Sequence, residues 1–285
     1  MRERIVILGA EGQVGLALRH RLDSRDRPCV ALGRGELSLT ATNVVDRVAK
    51  LEPTAVINAA AWTDVRGAES AANRQLVWEV NCHGPRRLAQ GCAVAGIPLI
   101  HISTDYVFDG RSDRPYVEDD TPNPLQAYGA SKLDGEREIS RVYPAALIAR
   151  TSTVYGNRPQ GPPHYVDAIL AQARKNNALD VVRLPVSSPS HTPDIADALI
   201  HLLDAGAEGL VHVVNDGAAS RLELAREAVR LAGFDFVVDE RPEPPDDLER
   251  PAYSVLDTSR YRELTGKTMK SWQEALGDYV RGTPA

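Results

Sequence analysis

The stretch IVILGAEGQVG, residues 5–15, decides the fold. Ile5–Leu8 is a short apolar run that reads as a buried strand, and Val14, Leu18 and Leu22 recur behind it at helical spacing. Between strand and helix, Gly9, Gly12 and Gly15 form a GxxGxxG turn. A strand turning sharply into a helix presents unpaired N–H groups that suit a pyrophosphate, and glycines let the backbone come close to that anion. The turn therefore predicts a dinucleotide site built from Gly9, Gly12, Gln13 and Val14.

Working outward, Val30–Leu32, Ala55–Asn58, Pro98–Ser103 and Ala146–Arg150 read as further buried strands, with amphipathic stretches between them. Such alternation predicts an α/β fold, a doubly wound parallel (Rossmann) sheet covered by helices. After Gly156 the character changes at the proline-rich Pro159–His164, so residues 1–156 are expected to form the dinucleotide-binding domain. Residues 157–285 are expected to form a smaller C-terminal α/β substrate-binding region with segments returning to the sheet. In that region the pattern predicts a helix from about Tyr165 to Asn176 and a strand at Val181–Leu184. It also predicts a helix capped by Thr192 with Pro193 at its first position, a strand at Leu210–Val214, and a capping box of Ser220 with Glu223. Arg241–Pro251 reads as an acidic, proline-stiffened loop and Ser259–Arg281 as a helical tail.

The chain has 285 residues, 43% of them hydrophobic, enough for a full core. Its net charge of −6 is spread without a basic cluster, which argues against nucleic acid as a partner. No apolar run reaches the roughly eighteen residues a membrane span needs, and the N-terminus enters a strand directly instead of a leader, so a cytoplasmic protein is expected. Cys29, Cys82 and Cys92 have neither CxxC nor Cys/His ligand spacing. They read as reduced thiols, and no metal site is predicted.

The strand ends carry the chemistry. Arg34 follows the second strand, where an arginine fork suits the 2′-phosphate of NADP(H). Glu36 keeps NADH open. After the third strand, Ala59, Ala60 and Ala61 leave room for a cofactor or serve close packing, and Thr63 can donate a hydrogen bond. HISTDYVFDG, residues 101–110, follows the fourth strand, and Tyr128 and Lys132 stand four apart on the next helix, on one face. An ammonium there lowers a phenol pKa, which lets the tyrosine exchange a proton with a carbonyl or alcohol oxygen. His101 reads as a packed histidine.

The GxxGxxG turn, NAAA (58–61), STDYVFDG (103–110), YGASKLDGE (128–136) and RTSTVYG (150–156) together resemble the extended short-chain dehydrogenase/reductases. Among these the chain is most similar to the dTDP-4-dehydrorhamnose reductase family, through AESAANRQLVWEVN (68–81) and RPAYSVLDTSRY (250–261) as well. The resemblance implies hydride transfer from NADPH to the C4 carbonyl of a dTDP-type 4-keto-6-deoxy sugar. It implies that Tyr128 protonates the developing alkoxide, that Thr104 hydrogen-bonds the same oxygen, and that Lys132 tunes Tyr128 while holding the nicotinamide ribose. Asp105 and Tyr106 would lie beside the sugar, and Asn81 would help organise the site or serve as a buried polar group at a helix start. A homodimer is open on the same ground.

Three departures stand out. Thr153 occupies the place of a tryptophan that packs on the sugar in the family, Arg183-Leu184 replaces an Asp-Gln pair, and Leu37-Ser38-Leu39 replaces a Leu-Asp. The first two fall in substrate-facing elements, so a deoxysugar-tailoring 4-ketoreductase with its own sugar preference is expected at Thr153. Arg183 and Arg250 are candidates for offsetting the substrate's phosphates. Two other functions remain open: a nonenzymatic NADP-binding regulatory subunit and an NAD-dependent sugar-nucleotide epimerase.

Overall fold

A computed structural model describes residues 4–157, 163–242 and 248–282. Most of the loop expected at Pro159–His164, and the centre of Arg241–Pro251, lie outside the described residues. Five strands fall where the apolar runs stand: β1 (Ile5–Leu8), β2 (Cys29–Leu32), β3 (Ala55–Asn58), β4 (Leu99–Thr104) and β5 (Leu147–Thr151). With the strand Gly209–His212 they form one six-stranded sheet, in the order Gly209–His212, β5, β4, β3, β1, β2, with every pair parallel. Parallel strands covered on both faces need apolar side chains at successive positions. β1 meets that need: Ile5 and Ile7 enter one core with Leu18, Leu22 and Leu199, while Val6 and Leu8 enter the opposite core with Val44, Val48 and Leu88.

The strand order reverses direction beside β1, because β2 lies on one side of it and β3 on the other. In open α/β sheets the crevice beyond the carboxyl ends of the strands at such a reversal is where ligands bind. The GxxGxxG turn sits there, between β1 and helix α1 (Gln13–Asp23).

Beyond Gly156 the sequence reading holds in outline and shifts in detail. A helix spans Tyr165–Ala173, and the expected strand at 181–184 lies earlier, at Leu179–Val181, paired with Val238–Glu240. Thr192 is the first residue of its helix, not the cap. Ser190–His191 pairs with Val154–Tyr155, which keeps the backbone extended through His191 and puts that residue in the cap position. The Ser220–Glu223 capping box is present at the start of the helix Arg221–Leu231. The tail divides into Ser259–Thr265 and Trp272–Gly282, because Gly266 takes φ +67° and ends the first helix. Among the described residues no helix is long and apolar enough to cross a membrane.

Candidate active site

The dinucleotide turn is built by close approach. Gly9 has φ +75°, and a Cβ there would lie 2.6 Å from the Ala60 nitrogen; one on Gly15 would lie 2.2 Å from the Gly9 carbonyl oxygen. The small residues after β3 therefore pack directly on the turn. Helix α1 starts from Gly12 with no side-chain cap, so its first N–H groups keep their capacity to bind an anion. This arrangement fits a pyrophosphate. Gln13 lines a cleft with Asn157, His191 and Thr192, and Val14 packs against the core. Arg34 is exposed past the end of β2, whereas the Glu36 carboxylate is engaged, accepting from the Gly33 N–H at 2.8 Å. Thr63 is exposed and Ala61 half-buried.

Tyr128 and Lys132 lie in the helix Ala127–Val142, whose first turn is fixed by the Gln126 side chain accepting from the Gly129 N–H at 2.9 Å. Gly129 lets this helix press on Tyr106: a Cβ there would meet the Tyr106 carbonyl at 2.1 Å. Thr104 ends β4 with its hydroxyl close to the Tyr128 phenol, which pulls the phenol's pKa down. Burial nevertheless dominates and raises the Tyr128 pKa above its usual value, with Asp105 and Tyr106 adding to the rise. The expected lowering by Lys132 is absent from this arrangement. Lys132 Nζ instead donates to the Ile102 carbonyl at 2.6 Å and lies 3.1 Å from His101 Nε2. Burial lowers Lys132 to about 8, against a smaller upward pull from Glu136.

Asp105 differs from the expectation of a sugar contact. Its carboxylate is 2% exposed and sits among hydroxyls, accepting from Ser254 at 2.6 Å, Ser152 at 2.7 Å and Thr104 at 3.2 Å. A short carboxylate beside a β-strand end reaches these donors before it reaches solvent, so Asp105 braces Thr104. Burial raises its pKa against the pull of the three hydroxyls. Tyr106 does face Tyr128, edge to face with ring centres 6.0 Å apart, and the Arg250 charge lies close enough to pull its pKa down.

The arginines sort differently from the sequence reading. Arg183 is committed to Glu240 through Nε and a terminal nitrogen, at distances from 2.6 to 3.1 Å. Arg250 remains at the site through Tyr106. Arg221, which the sequence reading passed over, lies with its guanidinium 5.4 Å from the Tyr165 ring centre and close enough to Tyr106 to pull its pKa down. Its only sequence signal was its place right after the Ser220 cap. Thr153 hydrogen-bonds Ser187 at 3.0 Å, joining the end of β5 to the segment after Arg183 and Leu184.

Asn81 is not at a helix start. It lies in a π-helical turn, Glu79–His83, inside a longer helical run, a local widening often found at functional sites. Its amide accepts from the Trp62 N–H at 2.8 Å and donates to Ser131 Oγ at 3.0 Å, tying the chain after β3 to the Tyr128 helix. Beneath the site, buried Arg150 and Glu136 pair at 2.6 Å, and Ser103 donates to Glu136 at 2.5 Å.

A glycine turn at the sheet's reversal point, with a threonine, tyrosine and lysine gathered at the ends of the next elements, defines a dinucleotide-binding protein of the short-chain dehydrogenase/reductase type. Comparison with known proteins narrows this. Residues 2–283 match the model of the RmlD substrate binding domain, and the chain belongs to that family. It is 37% identical to a dTDP-4-dehydrorhamnose reductase of Mycolicibacterium smegmatis, over 98% of this chain and 86% of that one. It is 35% identical to a dTDP-4-keto-6-deoxy-D-glucose reductase of Streptomyces niveus, over 97% and 96%. The crystal structure of a Bacillus anthracis dTDP-4-dehydrorhamnose reductase in complex with NADP superimposes with a TM-score of 0.92 at 30% identity, covering 99% of this chain and all of that one.

Proposed function

We propose that this protein reduces the C4 keto group of a dTDP-linked 4-keto-6-deoxy sugar with NADPH. The observation that carries the reading is the placement of Thr104, at the carboxyl end of β4, close to the buried Tyr128 phenol and on the same end of the sheet as the glycine turn. Bound NADPH supplies the hydride. Tyr128, kept as a neutral phenol by burial, is in the protonation state that reduction needs, and it gives its proton to the alkoxide oxygen forming at C4. The Thr104 hydroxyl, whose single proton goes to Asp105 in the free enzyme, turns to donate it to the same oxygen when the sugar is bound. Lys132 turns from His101 to the nicotinamide ribose and stabilises the tyrosinate left after proton transfer. Exposed Arg34, beside an already engaged Glu36, supports NADPH over NADH.

The residues beyond Gly156 serve as the substrate-binding region in this reading. Arg221 and Arg250 hold the diphosphate, and Thr153 leaves open the space a bulkier side chain would fill against the sugar. The free cysteines Cys29, Cys82 and Cys92 support a reducing, cytoplasmic setting. The test is turnover. NADPH consumed one-for-one with loss of a dTDP-4-keto-6-deoxy sugar supports the reading, with the rate falling roughly 100- to 10,000-fold in Tyr128→Phe while NADPH still binds. Cofactor binding without turnover across a panel of such sugars would sink it.

A further inference from the structure

His101 and Asn58 have no part in the proton transfer described above, yet both are buried beside Lys132. Their hydrogen bonds are directional. Asn58 Oδ1 accepts the Ala60 N–H at 3.1 Å, which fixes which end of the amide is which. The amide nitrogen is then the end that lies 2.9 Å from His101 Nδ1. An amide nitrogen can only donate, so Nδ1 must hold a lone pair, and the proton of the neutral ring stands on Nε2. Nε2 is the atom 3.1 Å from Lys132 Nζ. An N–H facing an ammonium would set two donors against each other, whereas an N–H facing an amine makes a hydrogen bond.

We infer that Asn58 and His101 form a positioning chain that selects the neutral amine of Lys132 in the cofactor-free enzyme. The amine still donates to the Ile102 carbonyl, so none of the three polar groups is left unmatched. Burial points the same way: it is the main cause holding His101 well below its usual pKa and bringing Lys132 to about 8. The other groups around Lys132 are Tyr128 one turn before it, Ser131 bonded to Asn81, and Glu136 one turn after it. Glu136 is neutralised by Arg150 of β5. Its residual pull toward the ammonium opposes the chain. The consequence for catalysis, which rests on the reductase reading, is that Lys132 leaves His101 for the ribose without breaking an ion pair and becomes an ammonium there by taking a proton from solvent, His101 keeping its own.

The test reads the histidine directly. In the cofactor-free enzyme labelled with ¹⁵N-histidine, the His101 signal, identified by its loss in His101→Gln, is expected to show an unprotonated Nδ1 and a protonated Nε2. Asn58→Asp keeps the shape and the bond to the Ala60 N–H but replaces the donor by an acceptor. It is expected to reverse the tautomer and to move the lysine limb of the kcat/KM profile for NADPH, which reports the cofactor-free enzyme, from about 8 to at least one unit higher. A protonated Nδ1 in the wild type overturns the proposal, whatever the variants do. So does a folded Asn58→Asp whose tautomer and profile match the wild type. Because the tautomer is read without substrate, its outcome is separate from whether the enzyme reduces the proposed sugar.

Discussion

Asp105 and Ser254, far apart in sequence, meet at 2.6 Å at the end of β4. Ser152 joins them from the end of β5, and Thr104 stands on the other carboxylate oxygen. The C-terminal segment that carries Tyr253 and Arg250 is thereby fastened to the residue that holds the Thr104 hydroxyl. Ser254→Ala is expected to cost about 1–2 kcal/mol of stability, because a buried carboxylate loses one of its donors. The same change is expected to lower kcat more than it raises KM for the sugar. Urea unfolding and steady-state kinetics on one preparation check both; a fall confined to KM would place Ser254 in substrate binding instead.

Arg221 and Arg183 are separated by their partners. Arg183 is already paired with Glu240, whereas Arg221 rests against Tyr165 near Tyr106. Arg221→Ala is expected to raise KM for the nucleotide sugar about 10- to 100-fold, the worth of one charge-assisted contact to phosphate. Arg183→Ala is expected to leave it within about twofold, as an exposed ion pair contributes little. Equal effects of the two substitutions would contradict the assignment.

The pair Arg150–Glu136 lies under the site with side chains almost wholly buried. Glu136→Ala strands a buried guanidinium and is expected to destabilise by about 3–5 kcal/mol. Replacing both residues by apolar side chains of similar volume is expected to cost less than the single change. Chemical denaturation of the two variants decides the order.

Acid should find His212. It is fully buried, and burial, helped by the Arg150 charge, lowers its pKa to about 3. The unfolded histidine titrates near 6.5, so below that pH the unfolded chain binds a proton the native state refuses. Stability therefore falls as pH drops from about 6.5 toward 3, by roughly 1.4 kcal/mol per unit from this residue. Raised carboxyls at Asp105 and Glu118 act in the opposite sense where they titrate, so the total slope mixes these groups. Comparing urea midpoints of wild type and His212→Leu at pH 7 and pH 5 isolates the histidine. The variant is expected to lose about 2 kcal/mol less over that interval.

The sheet was legible because its strands are apolar on both faces and the turn after β1 admits few residues but glycine. Thr104, Tyr128 and Lys132 could be placed because each follows a strand or opens a helix with a clear pattern. Orientation was not legible. The i,i+4 spacing puts Lys132 on the face of Tyr128 but cannot say that its amino group turns to His101, a choice made by Asn58 on β3. Nor could Asp105 be separated from a sugar-binding acid without Ser152 and Ser254, which come from elements distant in sequence. Arg183 and Arg221 looked alike as charges, and only the Glu240 partner tells them apart.

The central claim is hydride delivery to C4 of the sugar, and an isotope reads it most directly. NADPH deuterated at nicotinamide C4, each face in turn, would be incubated with a dTDP-4-keto-6-deoxy sugar and the product examined by NMR and mass spectrometry. The account predicts deuterium at sugar C4 from one face only, with none transferred by Tyr128→Phe above its residual rate. Bound NADPH with no label in any sugar, or label at a carbon other than C4, would contradict it.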